Sequence, residues 1–80
     1  MSLNPIGCPG RVSRAGAIRP GRTGEVLVEV GGGSQAFLAR DADDGAIGPG
    51  EEIVVVEVVG PRTVLVTRLY DPSNPKENPT

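Results

Sequence analysis

GPGEEIVVVEVVGPRTVLVTRL, residues 48–69, is the stretch whose reading decides the fold. It contains two β-branched runs split by Gly60-Pro61, each of strand length and neither with the apolar spacing of a helix. The first run, residues 52–59, is apolar on both faces apart from Glu57. That predicts either a central strand covered twice or a strand whose parity shifts at a bulge. Simple alternation puts Val54, Val56 and Val58 inside, whereas a bulge gives Ile53, Val55 and Val58. After the Gly-Pro turn, residues 63–69 alternate again as a second strand.

The same signature recurs upstream. Residues 25–30 alternate cleanly, with Val26, Val28 and Val30 on the face expected to be core. Gly31-Gly32-Gly33-Ser34 reads as a hairpin loop, and residues 35–40 return as a strand with Ala36 and Leu38 opposed to Phe37 and Ala39. A weaker strand is expected at residues 11–18, where Gly16 marks a bulge or a close backbone approach. The break at residues 41–50, DADDGAIGPG, has room for a single helical turn at most. No stretch keeps an apolar 3.6-residue period over three turns, so the domain reads as all-β. Five short strands with a break between the third and fourth match a small Greek-key barrel of the oligonucleotide/oligosaccharide-binding (OB) type, its usual helix reduced to a turn. An SH3-like barrel also uses five short strands, and strand count cannot separate the two.

The expected boundaries are an N-terminal lead-in and linker at residues 1–9, a barrel at residues 10–69 and a tail at residues 70–80. The opening Met1-Ser2-Leu3 reads as a start grafted onto an excised domain. The tail, with three prolines in DPSNPKENPT and almost nothing to bury, is expected to be disordered.

Eighty residues make one domain, and a chain this short buries only about 60% of its unfolded surface, leaving little core to enclose a ligand. Histidine and tryptophan are absent, and Cys8, Phe37 and Tyr70 are single examples of their types. The usual metal ligands and proton shuttles are thereby missing, and Cys8 reads as a reduced, incidental thiol. No apolar run approaches the ~18 residues that span a bilayer as a helix.

The candidate chemistry is thin. Asp41, Asp43 and Glu52 fall at the first, third and twelfth places of an EF-hand loop, but Gly45 and Ala46 occupy its fifth and sixth places. An acidic surface turn is the better reading. Ser13 and Ser34 have no histidine to activate them, and Lys76, the single lysine, lies among the tail prolines. No enzyme, metal or cofactor is expected.

Charge is distributed unevenly. Arg11, Arg14, Arg19 and Arg22 stand in the first 24 residues without an acid, while all ten acids follow against Arg40, Arg62, Arg68 and Lys76. Mutual neutralisation on folding is the commoner outcome for charges of both signs on a small domain. The other outcome is an exposed arginine contact face, since arginine is favoured at interfaces and suits anionic headgroups.

The order of motifs adds a resemblance. IRPGRTGEVLVEV at 18–30, QAFLAR, AIGPGEEIVVVEVVG and TVLVTRL resemble the C-terminal soluble domain of NfeD-like proteins over about residues 10–69. The matching positions are Pro20, Gly21 and Gly24, then Ile47 and Gly50, then Ile53, Val55, Val58 and Gly60, then Leu65; Gly48-Pro49 stands where a charged residue is common. The resemblance implies an OB-type, non-catalytic barrel carried by upstream membrane-spanning helices that this chain lacks. It implies action with stomatin- or flotillin-like membrane scaffold proteins or membrane proteases, in membrane protein quality control or membrane organisation, with the barrel on the cytoplasmic face. The expected contact surface is Arg11, Arg14, Arg19 and Arg22. A nucleic-acid-binding barrel is the second reading, weakened by the scarcity of aromatics for base stacking. Self-association through the two-faced valine strand stays open.

Overall fold

A computed structural model of the chain describes residues 4–69. They form five strands, β1 (Pro9–Val12), β2 (Gly24–Val30), β3 (Gly33–Asp41), β4 (Glu52–Gly60) and β5 (Thr63–Arg68), with no helix among the described residues. The strands close into a barrel in the order β1-β2-β3-β5-β4, and β4 returns to pair with β1. Every pairing is antiparallel except that of β3 with β5. A five-stranded Greek-key circuit of this kind is an OB-like barrel, so strand order settles what strand count left open.

Two aliphatic faces fill the barrel. Val26, Val28 and Val30 of β2 point inward as their alternation requires, and Val64 and Val66 of β5 face them. Ile53 and Val55 of β4, Val12 of β1 and Ala39 of β3 complete the wall, and Ile18 and Ile47 enter from loops. Among the described residues no polar or charged side chain is buried. β3 turns Ala39 inward, rests Phe37 against the core and leaves Leu38 in solvent.

The first strand differs from its sequence expectation. Residues 11–18 overlap β1 only at Arg11 and Val12, because the chain turns sharply at Ser13, where the Gly16 N–H donates to the Ser13 carbonyl (3.0 Å). The folded-back segment is fastened to β2: Ser13 N–H donates to Glu25 O (2.9 Å) and Glu25 N–H to Gly16 O (2.8 Å). A Cβ on Gly16 would lie 2.7 Å from the Glu25 carbonyl oxygen, so the close-approach reading of this glycine holds, at a turn rather than within a strand. The β2–β3 hairpin is likewise tighter than GGGS suggests. Gly31 and Gly32 alone form the turn, with φ of 62° and 85°, as a two-residue loop with left-handed residues at both central positions demands.

β4 follows the bulged alternative, with one amendment. Register shifts occur between Val55 and Glu57 and between Val58 and Gly60. Ile53 and Val55 are buried, and the first shift brings Val58 opposite the buried Val64. Val58 nevertheless stays 41% exposed, because the strand there has outrun its neighbour β1. Upstream of β1 the chain is tied to β4 by Gly7 N–H to Val55 O (2.8 Å) and Val55 N–H to Cys8 O (3.1 Å). The tail expected at residues 70–80, Tyr70 included, lies outside the described residues.

Candidate interaction surface

Among the described residues the interior is closed and aliphatic, and the polar and charged side chains lie on the outer surface. The four arginines of the front segment are all exposed, and the structure sorts them into two couples. Arg11 lies on the outer face of β1, in register beside Leu27 of β2 and Glu52 of β4. It shares with Arg14, Leu27 and Pro49 an open depression of about 370 Å³. A neighbouring depression of about 400 Å³ runs from Arg11 over Pro9, Leu27, Glu29, Glu52 and Leu69. Arg19 and Arg22 form the second couple, flanking Pro20-Gly21 in a turn closed by Arg22 N–H to Arg19 O (2.9 Å).

The segment that displays them is pinned at several points. Ile18 is buried and exchanges two backbone hydrogen bonds with Ile47, Ile18 N–H to Ile47 O (2.9 Å) and Ile47 N–H to Ile18 O (3.0 Å). The turn tip is held by Gly21 N–H donating to Asp44 Oδ1 (3.0 Å). Gly21 has φ of 72°, which favours glycine, and a Cβ on Gly24 would fall 2.1 Å from the Gly16 carbonyl oxygen. The Pro20-Gly21 and Gly24 positions are thus fixed by backbone geometry.

Neutralisation between the two halves does not take the form of ion pairs. Among the described residues the ion pairs are Arg68 Nε with Glu51 Oε1 (3.1 Å) and Arg40 Nη2 with Asp44 Oδ1 (3.7 Å), both within the later half of the chain. Arg11, Arg14, Arg19 and Arg22 have no carboxylate within ion-pair distance among those residues. An arginine without an intramolecular partner gives up none when it meets an external anion.

The acidic turn is committed to its own backbone. Asp41 Oδ1 accepts from Asp43 N–H (3.1 Å) and Oδ2 from Gly45 N–H (3.1 Å), an aspartate turn with Asp44 in the left-handed region at φ 59°. Among the described residues no three histidine, cysteine, aspartate or glutamate side chains converge as a metal site.

Two arrangements were not foreseen from sequence. Arg62 donates from Nη2 to Ala36 O (2.9 Å) while its guanidinium sits 5.9 Å from the centre of the Phe37 ring, so the sole phenylalanine is already engaged. Arg68 adds to its ion pair a hydrogen bond from Nη2 to Ala46 O (2.8 Å), and Glu51 Oε2 accepts from Gly48 N–H (2.7 Å). Together they tie the β3–β4 loop to the end of β5. The signal for both lay in isolated arginines beside strand ends, which has no periodicity to mark it.

Comparison with known proteins agrees with this geometry. The family model described as the NfeD C-terminal domain matches residues 9–67. The solution structure of the soluble domain of the NfeD protein YuaF from Bacillus subtilis superposes with a TM-score of 0.67 at 29% identity, covering 81% of this chain and 74% of that one. The C-terminal domain of stomatin operon partner protein 1510-C from Pyrococcus horikoshii gives 0.60 at 30% identity, covering 84% and 91% respectively. A comparison with curated proteins gives no match. The family match extends from the first residue of β1 to the penultimate residue of β5, the whole barrel circuit, and on that basis the chain belongs to the NfeD C-terminal domain family.

Proposed function

We propose that this barrel is a non-catalytic protein-interaction module that engages a stomatin-type membrane scaffold protein from the cytoplasmic side of a membrane. The observation that carries the reading is the pinned front segment, which displays Arg11, Arg14, Arg19 and Arg22 to solvent with no internal ion-pair partner among the described residues. The similarity to a stomatin operon partner protein supports the choice of partner class. A membrane anchor upstream of the barrel, and an influence on membrane proteases through the scaffold, complete the reading. The solid aliphatic core supports recognition by the outer surface.

The test is a calorimetric titration of the barrel with a purified stomatin-like protein, for the native chain and for the variant carrying Arg11→Glu, Arg14→Glu, Arg19→Glu and Arg22→Glu. Binding that weakens tenfold or more in the variant, about 1.4 kcal/mol, supports the arginine surface. Equal affinity of the two proteins removes it. In the same experiment a single-stranded oligonucleotide replaces the scaffold. Binding tighter than about 1 μM that falls steeply with salt overturns the protein-interaction reading in favour of nucleic acid.

A further inference from the structure

We infer that the depression bounded by Arg11, Arg14, Leu27 and Pro49 is where the partner binds, and that it takes one carboxylate with an apolar side chain next to it, carried on an extended segment of the partner protein. The inference rests on the protein-interaction reading above and narrows it, because the Arg19–Arg22 couple lies outside the site. Val12, Ser13 and Gly50 complete a lining that holds two cations and no acid. Carboxylates close to the rim are engaged elsewhere. Glu51, next in the chain to Gly50, pairs through Oε1 with Arg68 Nε (3.1 Å) and accepts on Oε2 from Gly48 N–H (2.7 Å). Glu25 accepts on Oε1 from Ser13 Oγ (2.9 Å). Arg11 stands in register beside Glu52 without forming an ion pair with it. An external carboxylate thus meets two guanidiniums that hold no carboxylate of their own.

The frame is set before a ligand arrives. Val12 N–H donates to Glu51 O (3.0 Å), Gly50 N–H to Val12 O (2.8 Å) and Ser13 N–H to Glu25 O (2.9 Å), so both rims are tied to one another around the buried Val12. A site fixed in this way loses little conformational freedom on binding. Leu27, 40% exposed, and Pro49 add an apolar wall beside the guanidiniums. A bare anion leaves that wall wet, whereas an acidic residue followed by an apolar one covers both parts.

The other arginine couple has an acid built into its turn. Asp44 Oδ1 accepts from Gly21 N–H (3.0 Å), and Asp43 adjoins it in the chain. An anion approaching Arg19 and Arg22 meets that carboxylate at the tip of the turn, which offsets part of their attraction. Charge also limits the ligand at the first couple. Past Leu27 the neighbouring depression carries Glu29 and Glu52. A polyanion laid across both depressions sets its charges against those two carboxylates, and like-charge contact of this kind rejects a partner. A protein segment with a single acid avoids them, whereas a nucleic-acid strand or an anionic membrane surface does not.

The experiment titrates the 80-residue chain with the capped peptide acetyl-Gly-Glu-Leu-Gly-amide, up to about 50 mM at constant ionic strength, and follows backbone amide NMR shifts. Expected are shifts concentrated at residues 11–14, Leu27 and Gly50. At a given peptide concentration they should fall about threefold or more when the peptide carries Gln for Glu or Gly for Leu. Arg11→Glu with Arg14→Glu should reduce them about tenfold, and Arg19→Glu with Arg22→Glu by less than about twofold, each with the spectrum of the core unchanged. Absent shifts, shifts centred on residues 19–22, equal loss in the two paired variants, or an equal response to the Gln peptide each overturn the inference. Displacement of the peptide by an equal concentration of single-stranded oligonucleotide, or by phosphatidylglycerol vesicles, assigns the site to polyanions and also overturns it. Running the scaffold titration with the same paired variants separates the two readings. Scaffold binding that both pairs weaken equally keeps the interaction module and overturns this site, whereas the expected peptide shifts without scaffold binding keep the site and overturn the choice of scaffold.

Discussion

The two halves of β4 are built from the same residues and meet opposite fates. Residues 52–55 lie between β1 and β5, and Ile53 and Val55 are sealed in the core. Residues 56–60, equally valine-rich, lie beside β5 alone and leave three valines in water. The difference is one of neighbours: β1 is four residues long and ends its pairing at Val54, so burial stops where the second strand stops. In a small barrel the shortest strand decides how much of its longer neighbours is core.

That contrast can be broken most forcefully at Ile53. Replacing it with Ala removes a fully buried side chain from a wall that cannot collapse, and should cost about 2–5 kcal/mol in urea unfolding. Val59→Ala in the uncovered half should stay within about 0.5 kcal/mol of the native chain. Equal losses at the two positions would show that the halves are not distinct. The next largest effect is expected at Gly10, where a Cβ would fall 2.3 Å from the Leu27 carbonyl oxygen of β2. Gly10→Ala should push β1 outward and cost about 1–3 kcal/mol, with faster hydrogen exchange at the Val55 amide that donates to Cys8. Exchange unaltered there would mean that β1 does not govern the covered half.

A smaller change is expected from Arg68→Met, which removes the pair with Glu51 and the hydrogen bond to Ala46 O. Both side chains are about one-third exposed, so the loss should be about 1 kcal/mol, and the gap to the native chain should narrow in high salt. A salt-independent gap would trace the effect to packing of the arginine stem. The finest test needs no substitution. Amides of residues 56–60 that do not donate to β5 should exchange close to the rate of free peptide, while those of residues 53–55 report the global stability.

How far the sequence could be read follows the same division. β2 and β5 declared themselves through strict alternation, which has one physical cause, a sheet with one face in water. β4 could be read only as two alternatives, because a run apolar on both sides carries no parity, and the bulged one was right for Ile53 and Val55. Neither alternative foresaw that Val58, though paired across from buried Val64, would remain wet, since that depends on where β1 ends. The front segment misled in another way. RVSRAGAI has strand-like composition, but the buried Gly16 and the link from Ser13 to Glu25 fold it into a turn. The four arginines were legible as a charge asymmetry; their separation into two couples and their lack of ion-pair partners among the described residues were not, because ion pairing is a property of folded distances.

Closure of the barrel rests on residues 9–11 meeting residues 52–54, segments more than forty residues apart in sequence with β2 and β3 between them. Contacts of such wide sequence separation form late in folding, after local hairpins such as β2–β3 and β4–β5. Until that final step the whole of β4, and not only its last five residues, presents a bare valine ribbon. The nascent molecule is therefore most vulnerable to clumping in the interval before its first strand docks, and any substitution that slows docking lengthens that interval even where the finished barrel is just as stable.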